Sequence, residues 1–140
     1  MKLKLYFITL FAFLAVDALW LGLVAPSFYR SQIGYMMAEQ PNFLAAGLFY
    51  LLFVYGMMVF IVEPGAREGT LMQAVLHGAL FGLVTYATYD LTNLATLEGW
   101  PVLVTVVDLV WGTVLSAAVA LVSVWAGKRF IKSEQLQSPQ

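Results

Sequence analysis

Asp17, Asp90 and Asp108 each sit within a run of apolar residues long enough to cross a membrane. A carboxyl group near the middle of a bilayer costs about 2.5 to 3.5 kcal/mol on the insertion scale, so each calls for a proton, a hydrogen-bond donor or a cation beside it. Two of the three have matching surroundings, Val16-Asp17-Ala18-Leu19-Trp20 and Val107-Asp108-Leu109-Val110-Trp111, both V-D-x-x-W. At i and i+3 the carboxyl and the indole share one helix face, which puts an acceptor beside a large aromatic with one N–H donor. Such a set can bind a proton, a cation or a solute, or do acid–base work through one ionised and one neutral carboxyl. A structural polar core that only fixes helix pairing would use the same residues.

On the third apolar run Gly78, Gly82, Tyr86 and Asp90 follow one another at four-residue steps, with Tyr89 beside them and Asn93 near the outer end. On the fourth, Asp108, Gly112, Ser116 and Ala120 repeat the arrangement, and small residues at this spacing let helix backbones approach closely in lipid. No lysine or arginine lies inside a run, so the nearest cation is Arg30, just above the outer boundary. The carboxylates must therefore be balanced by a shared proton, by hydrogen bonds from Tyr86, Tyr89, Asn93, Trp20 and Trp111, or by a bound cation. These residues with Arg30 form the candidate ligand- or proton-binding set. His77 lies about 20 Å along the helix from Asp90 and about 220° around it, so one metal cannot use both. The expected state of His77 is a hydrogen bond to Gln73 or Glu63, and neither a metal nor a cofactor is expected.

The elements that must hold this set are four helices in a compact all-α membrane bundle. A hydrocarbon core about 30 Å thick needs roughly 20 residues at about 1.5 Å each, and the runs at 5–25, 43–62, 71–93 and 102–127 supply them. Pro26, Pro41, Pro64 and Pro101 mark their edges. Lys2, Lys4, Arg67, Lys128, Arg129 and Lys132 fall on one side and Arg30 alone on the other, which places both termini and the 63–70 turn in the cytoplasm. On this frame Asp17, Asp90 and Asp108 lie roughly 12, 5 and 9 Å below the outer boundary, all in the outer half. The first helix points outward and the fourth inward, so the two V-D-x-x-W motifs face each other in inverted order. That resembles an inverted-repeat relic, although five residues do not establish a duplication.

The first, third and fourth helices are expected to pack around the carboxylates. The second, uncharged from Phe43 to Val62, is expected to face lipid. In the outer connection Tyr29, Ile33, Met36 and Met37 fall at i, i+4, i+7 and i+8 opposite Arg30 and Glu39, the pattern of a short interfacial helix. Trp100, Tyr6, Tyr50 and Phe28 read as an aromatic belt. A cleaved signal peptide is the lesser reading of the first run, which is long, carries Asp17 and lacks a small-x-small cleavage site. Residues 1–130 form one transmembrane domain, and the tail at 131–140 reads as disordered.

Composition agrees. Of 140 residues 61% are hydrophobic and only 11% charged, a membrane balance, and the mean hydropathy is +0.84. Seven basic and eight acidic residues lie mostly in tails and short connections, so no patch is built for nucleic acid. With no cysteine there are no disulfides, thiolate metal ligands or thiol nucleophiles.

Several separated motifs in order, Val16-Asp17-Ala18-Leu19-Trp20-Leu21-Gly22, P-x-F-Y at 26–29, Tyr89-Asp90-Leu91-Thr92-Asn93, Trp100-Pro101 and Asp108-x-x-Trp111-Gly112, resemble the bacterial predicted membrane proteins of domain of unknown function family 2177. The resemblance spans Leu5 to about Arg129. It implies a four-span bacterial inner-membrane protein without an assigned activity.

Three functions compete on this reading. A small-solute or proton- or cation-linked transporter or ligand-binding protein would use the Asp cluster and an outward pocket lined by Trp20, Tyr86 and Trp111. A membrane enzyme acting on a lipid or isoprenoid ranks below it, since no His-rich cluster, Ser-His pairing or phosphate-binding glycine loop is present. An assembly subunit would need the polar core only for shape. The expected partners are the lipid bilayer, a small-molecule or cation ligand and, for an assembly role, further copies of the chain; nucleic acid is not among them.

Overall fold

The computed structural model of the chain describes residues 1–137, and among these all regular structure is helical. Helix α1 spans Lys2–Leu23, α2 Ala25–Ile33, α3 Phe43–Arg67, α4 Leu71–Thr96 and α5 Val102–Gln137. The four long helices, α1, α3, α4 and α5, are each long and apolar enough to cross a membrane.

Local chemistry sets the boundaries. Pro26 cannot donate to the carbonyl four residues earlier, and the chain breaks at Val24 (φ −114°) before restarting with Pro26 in the first turn of α2. A single 3₁₀ turn, Gly34–Met36, follows. The Asn42 side chain caps α3 by accepting from the Ala45 N–H at 3.1 Å. Helix α4 opens on a capping box: Thr70 Oγ1 accepts from the Gln73 N–H at 3.1 Å, and Gln73 Oε1 accepts from the Thr70 N–H at 2.8 Å.

Pro64 stands at the edge of the second run in the sequence, but α3 does not end there. The helix widens into a π turn over Met58–Val62 and continues through Glu63–Arg67. The wider i→i+5 register accommodates a residue that lacks a donor and would clash with the carbonyl four positions back. The same helix corrects a second expectation, that it mainly faces lipid. Phe53, Val54, Met57 and Ile61 are buried in the central core with Phe13, Leu115, Val119 and Ala120. The absence of charge from Phe43 to Val62 reflects burial as much as lipid.

The tightest seam is α4 against α5. A Cβ added at Gly82 would stand 2.0 Å from the Gly112 carbonyl oxygen, and one at Gly78 would stand 2.6 Å from the Ala120 Cβ. The small-residue steps thus bring backbone against backbone. At one end of the bundle Lys2 Nζ meets Glu63 Oε1 at 2.8 Å, and Gly127 lies against Ala66 and Leu5. At the other end the Tyr35 hydroxyl donates to the Gly99 carbonyl at 3.0 Å, tying the connection after α2 to the one between α4 and α5. Lys2, Lys4, Arg67, Lys128, Arg129 and Lys132 thus sit at the first end and Arg30 at the second. Helix α5 runs on to Gln137, beyond residue 131 where disorder is expected; Lys132, Glu134, Gln135 and Leu136 are good helix formers with no proline before Pro139. Residues 138–140 of that tail lie outside the described residues.

Candidate functional site

The three aspartates meet in the half of the bundle that holds α2. Asp17 comes from α1, Asp90 from α4 and Asp108 from α5, with 7%, 0% and 6% of their surface exposed. They are served by two polar chains. In the first, the Tyr50 hydroxyl of α3 donates to Asp17 Oδ2 at 3.1 Å, and the Trp111 indole nitrogen lies beside the same carboxyl without completing a hydrogen bond. In the second, Trp20 Nε1 donates to the Tyr29 hydroxyl at 3.2 Å, and Tyr29 donates to Asp108 Oδ1. Burial, and then the bond to Asp108, pushes the Tyr29 phenol well above the ordinary tyrosine value, so it stays a donor at all physiological pH.

The two V-D-x-x-W motifs therefore cross. Each aspartate faces the tryptophan of the other helix, Asp17 directly and Asp108 through Tyr29, while Trp20 and Trp111 stack between them. Antiparallel helices carrying the same i, i+3 pair produce this exchange when one side of each meets the other.

Asp90 stands apart. It is completely buried, and neither carboxyl oxygen has a hydrogen-bond donor. Its neighbour within hydrogen-bonding reach is the Asp108 carboxyl. Two carboxylates offer each other only acceptors, whereas one added proton makes a donor and closes an O–H···O bond between them. Around Asp90, the Thr105 hydroxyl donates to its backbone carbonyl at 3.4 Å and accepts from Trp100 Nε1 at 3.1 Å. Trp100 is buried, 7% exposed, and meets Tyr89 edge to face at 5.7 Å. It is thus part of the wall behind Asp90 and not the belt residue its position at a span end suggests.

Of the expected set, Asp17, Asp90, Asp108, Trp20 and Trp111 come together, and Tyr86 lies among all three carboxylates with its ring over Gly112, where a Cβ would approach it to 2.3 Å. Tyr89 is more than half exposed, with the Asn93 amide at its side. Arg30 does not fold back onto the carboxylates. It is exposed, forms no ion pair among the described residues, and lines an open depression with Glu39 and Tyr35. His77 is exposed; Gln73 is occupied in the capping box and Glu63 with Lys2 and Arg67, so the hydrogen bond expected for His77 is not made. Among the described residues no group of three or more His, Cys, Asp or Glu side chains is arranged to hold a metal ion.

Tyr29 and Tyr50 are the residues that the sequence reading assigned elsewhere, to an interfacial apolar face and to an aromatic belt. A depth count could have found Tyr50: seven residues into α3 is about 10 Å, the level of Asp17. Tyr29 is reached only because the break at Val24 turns α2 back over the bundle.

The pocket also differs in place from the expected one. Trp20 and Trp111 close on each other and line only a shallow valine-walled depression of about 260 Å³ between α1 and α5. The space that reaches a carboxylate is a groove of about 420 Å³ between α3 and α4, walled by Phe49, Phe53, Thr85, Tyr86 and Tyr89 with Asp108 at its base.

A family described as predicted membrane protein, domain of unknown function 2177, matches residues 2–125. No curated protein and no solved structure is detectably similar to the chain.

Proposed function

The chain belongs to that family of predicted membrane proteins, whose function is unknown, and from this premise we propose that it is a small-solute carrier or binding protein linked to protons through the Asp90–Asp108 pair. The observation that carries the reading is Asp90, fully buried, with both oxygens lacking a donor, beside a second carboxyl that lines an open groove. A carboxyl placed so holds a proton as long as its neighbour is unengaged. When a ligand engages Asp108, the shared proton becomes free to leave, and solute and proton exchange on one site.

The distribution of basic residues, six at one end and Arg30 at the other, supports cytoplasmic termini and an Asp cluster in the outer half, in the bacterial inner membrane that the family resemblance implies. A structural polar core is the rival. It accounts for the Tyr50–Asp17 and Tyr29–Asp108 bonds, but it gains nothing from leaving Asp90 without a donor.

Proteoliposomes loaded with a pH-sensitive dye test the proposal. Small amphiphilic solutes added outside are expected to drive a proton flux with the wild type that is lost in Asp90→Asn and Asp108→Asn. Flux that is absent with every solute, or unchanged in both variants, counts against it.

A further inference from the structure

The groove between α3 and α4 narrows the solute to a chemical class. Its walls are three aromatic rings besides Tyr89, and its polar atoms are mostly acceptors. The Thr85 proton is spent on its own helix, donated to the Phe81 carbonyl at 2.8 Å and the Gly82 carbonyl at 3.1 Å, so the Thr85 oxygen presents lone pairs. Asp108 at the base uses Oδ1 for Tyr29 and stands next to a second carboxyl. A partner that brings hydrogen-bond donors and a positive charge suits this surface, because four spans with three carboxyls contain no Lys or Arg inside the apolar core to compensate them. The aromatic walls suit a charge carried on an organic body that the rings can cover. Aromatic faces favour such a cation by about 0.5 to 2 kcal/mol each when water is excluded. The volume of about 420 Å³ falls in the range of roughly 300 to 1,000 Å³ typical of small-molecule sites.

The route of entry follows from depth. Phe49 lies six residues, about 9 Å, inside the start of α3, and Tyr89 and Thr85 lie about 10 and 16 Å from the end of α4. Phe49 and Tyr89 are 46% and 57% exposed, so the mouth of the groove opens sideways at hydrocarbon depth and not into the aqueous loops.

We propose that this groove admits a lipophilic amine from the bilayer, its ammonium group pairing with Asp108 and its apolar body lying against Phe49, Phe53 and Tyr86. This deepens the proton-linked solute reading above and rests on it: the ammonium takes the place of the proton shared by Asp90 and Asp108, and one proton leaves as one cation binds.

Binding of radiolabelled phenylbutylamine and of its uncharged counterpart phenylbutanol to the full-length protein in nanodiscs, corrected for empty nanodiscs, tests the proposal. The amine is expected to bind about ten- to a hundred-fold more tightly, the worth of a charge-assisted hydrogen bond. Asp108→Asn should erase that preference, and Thr85→Trp, which fills the groove and leaves the acid, should weaken both compounds. Equal binding of amine and alcohol by the wild type overturns the proposal without recourse to any variant, as does a preference retained in Asp108→Asn. If a solute that is not an amine drives Asp108-dependent proton flux while the amine shows no preference, the amine assignment falls and the proton-linked reading stands. If the amine binds through Asp108 and no solute moves protons, the site stands and the coupling falls.

Discussion

Trp20 and Trp111 stack with centroids 4.6 Å apart and planes 10° from parallel, joining the two helices that carry the V-D-x-x-W motifs. Each indole also belongs to one of the two polar chains, since Trp20 donates to Tyr29 and Trp111 flanks Asp17. The stack therefore sets the distance between α1 and α5 at the level where the carboxylates lie.

The first prediction concerns that contact. Aromatic pairs contribute about 0.5 to 1.5 kcal/mol beyond the area they bury. A double-mutant cycle of Trp20→Leu and Trp111→Leu, read by unfolding in mixed detergent, should return a coupling energy in that range. A coupling near zero would mean that the rings adjoin without holding the helices.

The glycines of the α4–α5 seam give a contrast within one protein. Gly82→Ala drives a methyl into the Gly112 carbonyl and should cost about 1 to 3 kcal/mol or more, visible as a lower melting temperature and loss of the monodisperse species. Gly47→Ala, where nothing lies within 4 Å, should be neutral or stabilise the protein by up to about 1 kcal/mol through helix propensity. Equal effects at the two sites would contradict the close approach of α4 and α5.

Tyr29 supplies the pH dependence. Its proton is held more firmly in the folded protein than in the unfolded chain, so the stability it contributes is fully present below the ordinary tyrosine value of about 10. That contribution is lost as pH rises through the higher folded value. Stability measured from neutral into strong alkali should therefore decline for the wild type, and Tyr29→Phe should be less stable at neutral pH with a shallower alkaline decline. An identical decline in the variant would show that other groups cause it.

How much of this was visible in the residues depends on the kind of signal. The four spans follow from apolar length, and the close seam of α4 and α5 follows from Gly78, Gly82 and Gly112, because both are local properties of one helix. That Asp17, Asp90 and Asp108 meet follows from depth counting. Their donors do not: Tyr50 and Tyr29 come from elements whose own patterns say lipid-facing and interfacial, and only the packing of α3 and the turn at Val24 bring them in. The stacking of Trp20 on Trp111, which closes the expected pocket, requires a helix rotation that no periodicity records.

Orientation is the fourth prediction. A cytoplasm-active reporter fused after Glu68 or at the C-terminus should be active, and a reporter active only outside should work when inserted near Ala38 or Glu98. The reverse pattern would place the Asp cluster on the cytoplasmic side.

The π turn before Pro64 fixes more than the passage of α3 past a proline. In an ordinary α-helix, residues four apart advance about 40° around the axis at each step, so a long row of them winds away from the face it started on. Here two adjacent rows, Phe53, Met57, Ile61, Gly65 and Val54, Met58, Val62, Ala66, remain buried from end to end. The extra residue in the wide turn unwinds the drift. Tightening Met58–Val62 to the ordinary pitch with every residue kept would swing everything after it by about 100°, carrying Glu63 away from Lys2 while leaving Tyr50 and the aspartates where they stand. The turn thus acts as a gearing between the two ends of α3, which lets the charged end and the end that serves the carboxylates be set independently.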